Sequence, residues 1–151
     1  MPRKSLNKGR SGEYEVQGIL YDQLGLTFKR DLDQYRSGDR GDLICDEIDF
    51  PFCIEVKRFG PSRGRPDPKW WDQVCAAAEA ANKWPLLVYR YDRHPWRWRM
   101  PVAATMAAGL PLNFHGSTPH AELDWGYACE YDDVTTAMMI IREIVSDAGN
   151  N

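Results

Sequence analysis

The stretch Phe52-Cys53-Ile54-Glu55-Val56-Lys57 sets a carboxylate and an ammonium two positions apart. Phe52, Ile54 and Val56 alternate with Cys53, Glu55 and Lys57, the period-two signature of a half-buried β-strand. Alternation places Glu55 and Lys57 on one face, about 7 Å apart along the strand. Held on a rigid strand, the pair could be a metal ligand beside a charge that meets an anion. It could equally be a salt bridge on a solvated face, because charge pairs on strand faces are common. Two further acids bear on the choice. Asp42 stands at the entrance of a preceding strand, Gly41 to Cys45, 13 residues before Glu55, which leaves room for one hairpin. Glu13 lies on a helix expected over Ser11 to Leu24, whose apolar stripe is Val16, Ile19, Leu20 and Leu24. At helical spacing Glu13 falls about 45° from the centre of that stripe, and Glu15 more than about 100° away. Glu13 therefore points toward the core side, where an unpaired carboxylate is costly.

The elements that must position these residues read in order. Residues 1–10, with Arg3, Lys4, Lys8 and Arg10 and no acid, form a basic arm. A first strand is expected over Leu26 to Leu32, with Thr27, Lys29 and Asp31 on one face. A polar, glycine-containing loop, 33–41, then delivers Asp42. Asp46 to Pro51 turns between the two central strands. The Pro/Gly-rich, basic run from Arg58 to Pro68 is a loop. A helix follows, about Pro68 to Lys83, with Trp71, Val74, Ala78 and Ala81 on one face. Pro85 to Tyr91 and Trp96 to Val102 read as strands, the second alternating tryptophan with arginine. Met106 to Leu110 is a short helix, and His115 to Trp125 loop and short strand. A last helix, about Val134 to Asp147, carries Val134, Ala137, Met138, Ile141, Ile144 and Val145 at helical spacing.

The pattern Asp42…Glu55-x-Lys57 resembles the PD-(D/E)xK nuclease superfamily. Gly41-Asp42 with Cys53-Ile54-Glu55-Val56-Lys57 resembles its Holliday junction resolvase branch, archaeal and phage, with Gly41 where the usual proline stands. Lys8-Gly9-Arg10-Ser11-Gly12-Glu13 matches the spacing by which a glutamate joins the site in that branch. The resemblance spans roughly residues 8–91. It implies an α/β fold with a mixed central sheet flanked by helices, a restriction-endonuclease-like core. It further implies phosphodiester hydrolysis with Mg²⁺, for which Mn²⁺ is the expected substitute. Asp42 and Glu55 would hold the cation with Glu13 completing the acid set, and Lys57 would position the attacking water or neutralise developing charge. Gln73, one turn into its helix, fits the place of a glutamine that touches the site. Arg30 and Ser37 are the nearest matches to an arginine and a serine that approach the scissile phosphate. The implied substrate is branched DNA, a four-way junction. The implied assembly is a homodimer, since two symmetric nicks take two sites.

Composition bounds these expectations. At 151 residues, 43% hydrophobic and 27% charged, the chain reads as one soluble domain, 1–151, with 96–151 a C-terminal elaboration. No apolar run approaches the roughly 18 residues of a membrane span, and no signal-peptide core follows the basic start, so a cytoplasmic protein is expected. Four cysteines without metal-ligand rhythm read as reduced core thiols, and three scattered histidines make a zinc site improbable. The net charge of −3 argues mildly against nucleic acid, but the bases cluster. Lys8, Arg10, Arg40, Arg58, Arg63 and Arg65 are the further candidate DNA contacts. The competing readings are another PD-(D/E)xK nuclease of flap, repair or restriction type, a catalytically silent DNA-binding domain on that fold, and an unrelated α/β protein with a surface ion-pair network.

Overall fold

The computed structural model describes residues 2–32, 41–60, 66–109, 118–119 and 127–150, with the side chains of 2–8, 118, 119 and 127 outside the description. Its elements are α1 (Pro2–Leu24), β1 (Phe28–Arg30), β2 (Leu43–Cys45), β3 (Phe52–Phe59), α2 (Pro68–Ala81), β4 (Trp84–Tyr91), β5 (Arg97–Pro101), α3 (Val102–Ala107), β6 (Thr118–Pro119), β7 (Tyr127–Tyr131) and α4 (Val134–Gly149). They build one mixed seven-stranded sheet in the order β1-β2-β3-β4-β5-β7-β6. Among the described residues only β3 and β4 pair in parallel, joined across α2, from Phe52 opposite Trp84 to Phe59 opposite Tyr91. The remaining pairs are antiparallel. The fold is thus α/β, with a mixed sheet flanked by helices, in keeping with a restriction-endonuclease-like core.

The two faces of the sheet carry separate cores. Val16 and Leu20 of α1, Ala104 of α3 and the stripe Ala137, Met138, Ile140, Ile141 and Ile144 of α4 pack on one face, against Ile54, Val56, Leu86, Val88, Trp98 and Met100. On the other face α2 lays Trp71, Val74, Cys75, Ala77 and Ala78 over Cys53, Leu87 and Tyr89. The strand β3 is therefore covered on both faces rather than half-solvated. Small side chains on α2 let it approach the sheet closely, and Trp71 fills the remaining space at 1% exposure.

Local chemistry explains the helix ends. Asp67 caps α2 by accepting from the Lys69 N–H at 3.0 Å, Pro68 occupies the first turn, and Asn82 closes the helix in the left-handed conformation. At the end of α1, Gly25 takes φ 70° and its N–H reaches the Tyr21 carbonyl at 2.8 Å. Residues 2–10, expected as an arm, instead continue α1 back to Pro2. Nothing between Arg3 and Lys8 breaks a helix, and a proline is compatible with the first turn. The strand β7 was not expected. Ala128 and Cys129 are buried side by side, so no alternation marks it, and its pairing to β5 defines it. All four cysteines are free and buried.

Candidate active site

Three carboxylates reach one place from three elements. Asp42 arrives just before β2. Its N–H donates to the Ile54 carbonyl at 2.7 Å, and its carboxylate Oδ2 accepts from the Val56 N–H at 2.7 Å. Both bonds tie Asp42 to the backbone of the strand that carries Glu55, and Asp42 is 7% exposed. Glu55 projects from β3 toward Lys57, whose Nζ lies 3.4 Å from Oε1. Glu13 comes from α1, anchored by Val16 and Leu20 in the core. It is buried and ion-paired with Arg30 at the end of β1. The orientation read from helical periodicity is the observed one.

The charge of Asp42 acts on both of the other acids, and that of Glu13 on Glu55. Burial pushes the Glu55 carboxyl up to about 7; Asp42 and then Glu13 raise it, while the charge and hydrogen bond of Lys57 oppose them. Glu13 is also pushed above its ordinary value, by burial first and by Asp42 second, against the pull of Arg30 and Arg10. Like charges gathered at low dielectric form a site short of positive charge. Cysteine chemistry is disfavoured nearby, because burial raises the Cys53 thiol to about 11.

Residues 4–142 match the family model described as "Phage putative PDDEXK endonuclease". The chain belongs to this family of phage endonucleases. Protein D14 of Escherichia phage T5 is 29% identical over 127 residues, covering 74% of this chain and 79% of that protein. Among solved structures, Archaeoglobus fulgidus Hjc, a Holliday junction resolvase, aligns over 86% of this chain and 88% of its own at 16% identity, with a TM-score of 0.46. The assignment rests on the family match.

A family member with glycine in place of the signature proline has a physical reason for it here. A Cβ on Gly41 would lie 2.3 Å from the Ile54 carbonyl oxygen and 2.8 Å from the Ile54 nitrogen. No side chain, proline included, fits while Asp42 keeps its bond to that carbonyl.

The other candidates fall into distinct places. Arg30 joins the acids through Glu13. Arg10 is exposed, and its charge acts on Glu13. Arg58 lies on the opposite face of β3 from Lys57, where it donates to Ser11 at 2.8 Å and to Glu15 at 2.9 Å. Glu15 also accepts from Trp96 at 3.1 Å and from Arg90 at 3.4 Å, so it organises a separate network fastening α1 to the sheet. Gln73 is exposed on α2, and no hydrogen bond joins it to the acids among the described residues. Lys8 is on the backbone of α1, its side chain outside the description. Ser37, Arg40, Arg63 and Arg65 lie outside the described residues.

Sequence reasoning passed over Asp31. It is 3% exposed, and its N–H donates to the Asp42 carbonyl at 2.9 Å. Alternation groups it with Thr27 and Lys29 on one strand face. The strand ends at Arg30, so the alternation no longer applies at Asp31.

Among the described residues no group of three or more His, Cys, Asp or Glu side chains is arranged to hold a metal ion. The donors present are nonetheless oxygens of the hard type that Mg²⁺ takes, and that ion needs only one or two carboxylates with water completing its shell. Burial and the charge of Asp42 raise both Glu55 and Glu13, which marks a place where a cation would be favoured.

Proposed function

We propose that this protein is a metal-dependent DNA endonuclease that cuts branched DNA, a four-way junction, by paired phosphodiester hydrolysis as a homodimer. The observation that carries the reading is the convergence of Glu13, Asp42 and Glu55, with Asp42 near enough to raise both of the other carboxyls, beside Lys57 on the Glu55 face of the strand. A stability-driven fold would not gather three acids at its core edge. The family match supports nuclease chemistry.

Asp42 and Glu55 would hold Mg²⁺, with Glu13 adding charge directly or through water. Bound there, the cation supplies a water of lowered pKa and neutralises charge on the phosphate. The chain's own residues do the rest. The Val56 N–H fixes Asp42, so its carboxylate does not have to be ordered when the substrate arrives. Lys57 places an ammonium beside Glu55 where an incoming phosphate oxygen or attacking water is held. Arg30 keeps Glu13 in position and offers donors to the same phosphate.

The test is cleavage of a synthetic four-way junction and a matched linear duplex, with Mg²⁺ or with chelator, by wild type and Asp42→Asn. Paired nicks in the junction alone, abolished by chelator and by the substitution, are expected. The amide can still accept from the Val56 N–H, so the variant should fold while losing more than about a hundredfold in rate. Equal cutting of duplex would refute the junction reading and keep the catalytic one. Metal-independent cutting, or undiminished cutting by Asp42→Asn, would refute the site.

A further inference from the structure

The sheet face that carries Glu55 and Lys57 continues into a run of aromatic rings. Phe59, two residues beyond Lys57 on the same strand face, stacks on Trp70 with centroids 4.1 Å apart and planes 10° from parallel. Phe59 also meets Tyr91, its register partner on β4, at 6.1 Å. Tyr91 contacts Tyr89 edge-on at 6.2 Å and His94 at 6.4 Å. Phe59, Trp70 and Tyr91 are half-buried and His94 is exposed. A tight turn fixes the outer end: His94 donates its N–H to the Tyr91 carbonyl at 3.1 Å, and Arg93 adopts φ 66°.

The ladder lies at the margin of the hydrophobic cluster beneath α2: Trp70 and Tyr91 pack against that cluster with one side and stay partly exposed. Cations border it: exposed Lys69 next to Trp70, exposed Arg93 within the turn, and half-buried Arg97, whose side chain is 41% exposed and whose charge acts on Tyr91. Facing acids are engaged: Asp67 caps α2, and Glu130 is held by Tyr89, Arg97 and Arg99. Partly exposed, pre-positioned rings among cations suit a nucleobase better than an apolar protein surface, since bases present flat π-faces and carry phosphates on either side.

We infer that the ladder Trp70–Phe59–Tyr91–His94 is a stacking platform for a base unstacked from DNA beside the cut, with Arg97 and Lys69 holding its flanking phosphates. This rests on the nuclease reading and narrows its substrate. In intact duplex every base is stacked and withheld from the platform, whereas a branch point or single-stranded stretch releases one. The platform begins about 7 Å along β3 from Lys57, so a base seated there belongs to the strand at the site.

The experiment measures binding in chelator, so that it does not depend on catalysis. A single-stranded thymidine oligonucleotide and the same backbone with abasic sugars are titrated by anisotropy against wild type, Tyr91→Ala, Trp70→Phe and Arg97→Ala. Wild type should prefer the base-bearing strand by about tenfold, or ~1.4 kcal/mol, within the range for one stacked base. Tyr91→Ala should erase that preference while keeping the abasic affinity. Trp70→Phe, which retains a ring and so the fold, should keep binding and lose the tryptophan quenching that accompanies it. Arg97→Ala should weaken both strands alike. Equal wild-type affinity for the two strands would overturn the inference. So would a Tyr91→Ala protein that changes from dimer to monomer in sedimentation without changing the preference, which would make the ladder a contact between copies. Failure of metal-dependent cutting with the base preference intact would overturn the nuclease reading instead.

Discussion

Replacing Glu55 by glutamine should stabilise the metal-free protein. Glu55 is buried beside Asp42 and Glu13, and its carboxyl is pushed from an ordinary 4.5 up to about 7. That displacement corresponds to about 3 kcal/mol, with the benefit of Lys57 already included. Below about pH 4.5 the side chain is protonated in both folded and unfolded chains and costs nothing. Between pH 4.5 and about 7 the unfolded chain gives up its proton first, so folding loses stability as pH rises. Above that range the cost is complete. Glu55→Gln removes the charge and should therefore exceed wild type by about 3 kcal/mol near pH 8, or roughly 10 °C in Tm for a chain of this size. Near pH 4.5 the two should coincide. Urea denaturation followed by tryptophan fluorescence, in chelator across this pH range, measures the difference. A variant no more stable than wild type near pH 8, or a gap that does not change with pH, would refute the reasoning. Adding Mg²⁺ should narrow the gap by stabilising wild type alone.

Gly41→Ala should cost at least about 2 kcal/mol, because the new methyl must displace the β3 backbone or break the Asp42 N–H bond to Ile54. Urea midpoints read the loss, and a normal midpoint would mean that the close approach is not maintained in solution. Arg30→Met leaves Glu13 buried without its ion-pair partner and should cost about 3 kcal/mol at neutral pH. Adding Glu13→Gln to that variant should restore most of it in the same assay; two independent, additive losses would disprove the coupling.

Much of this architecture could be read from residue order, and the reasons differ by element. The stripe of α4 and the alternation of β3 are strong periodic signals, and both elements stand where those signals put them. Glu13 could be found because helical geometry turns it inward, a property of position rather than of residue type. Asp31 could not, because its burial depends on β1 ending one residue earlier and on a bond to Asp42. The end of β3 was also hidden: Arg58 and Phe59 look like the start of a basic loop, yet pairing with Arg90 and Tyr91 keeps them in the strand. β7 likewise owes its existence to a neighbour rather than to its own composition. Where pairing with a distant strand decides the structure, local pattern carries little information.

The tethering of Glu13 to α1 has a consequence for how such an enzyme is made. Asp42 and Glu55 sit at paired neighbouring strands, whereas Glu13 is held in place only by the packing of α1 through Val16 and Leu20. On the proposed reading, a chain whose α1 has come loose lacks one of its three acids, and hydrolysis would be withheld until that helix is seated. Under the proposed reading the fold acts as its own safety catch: hydrolytic competence would be a property of the docked tertiary structure, and should vanish on warming at the temperature where α1 comes away.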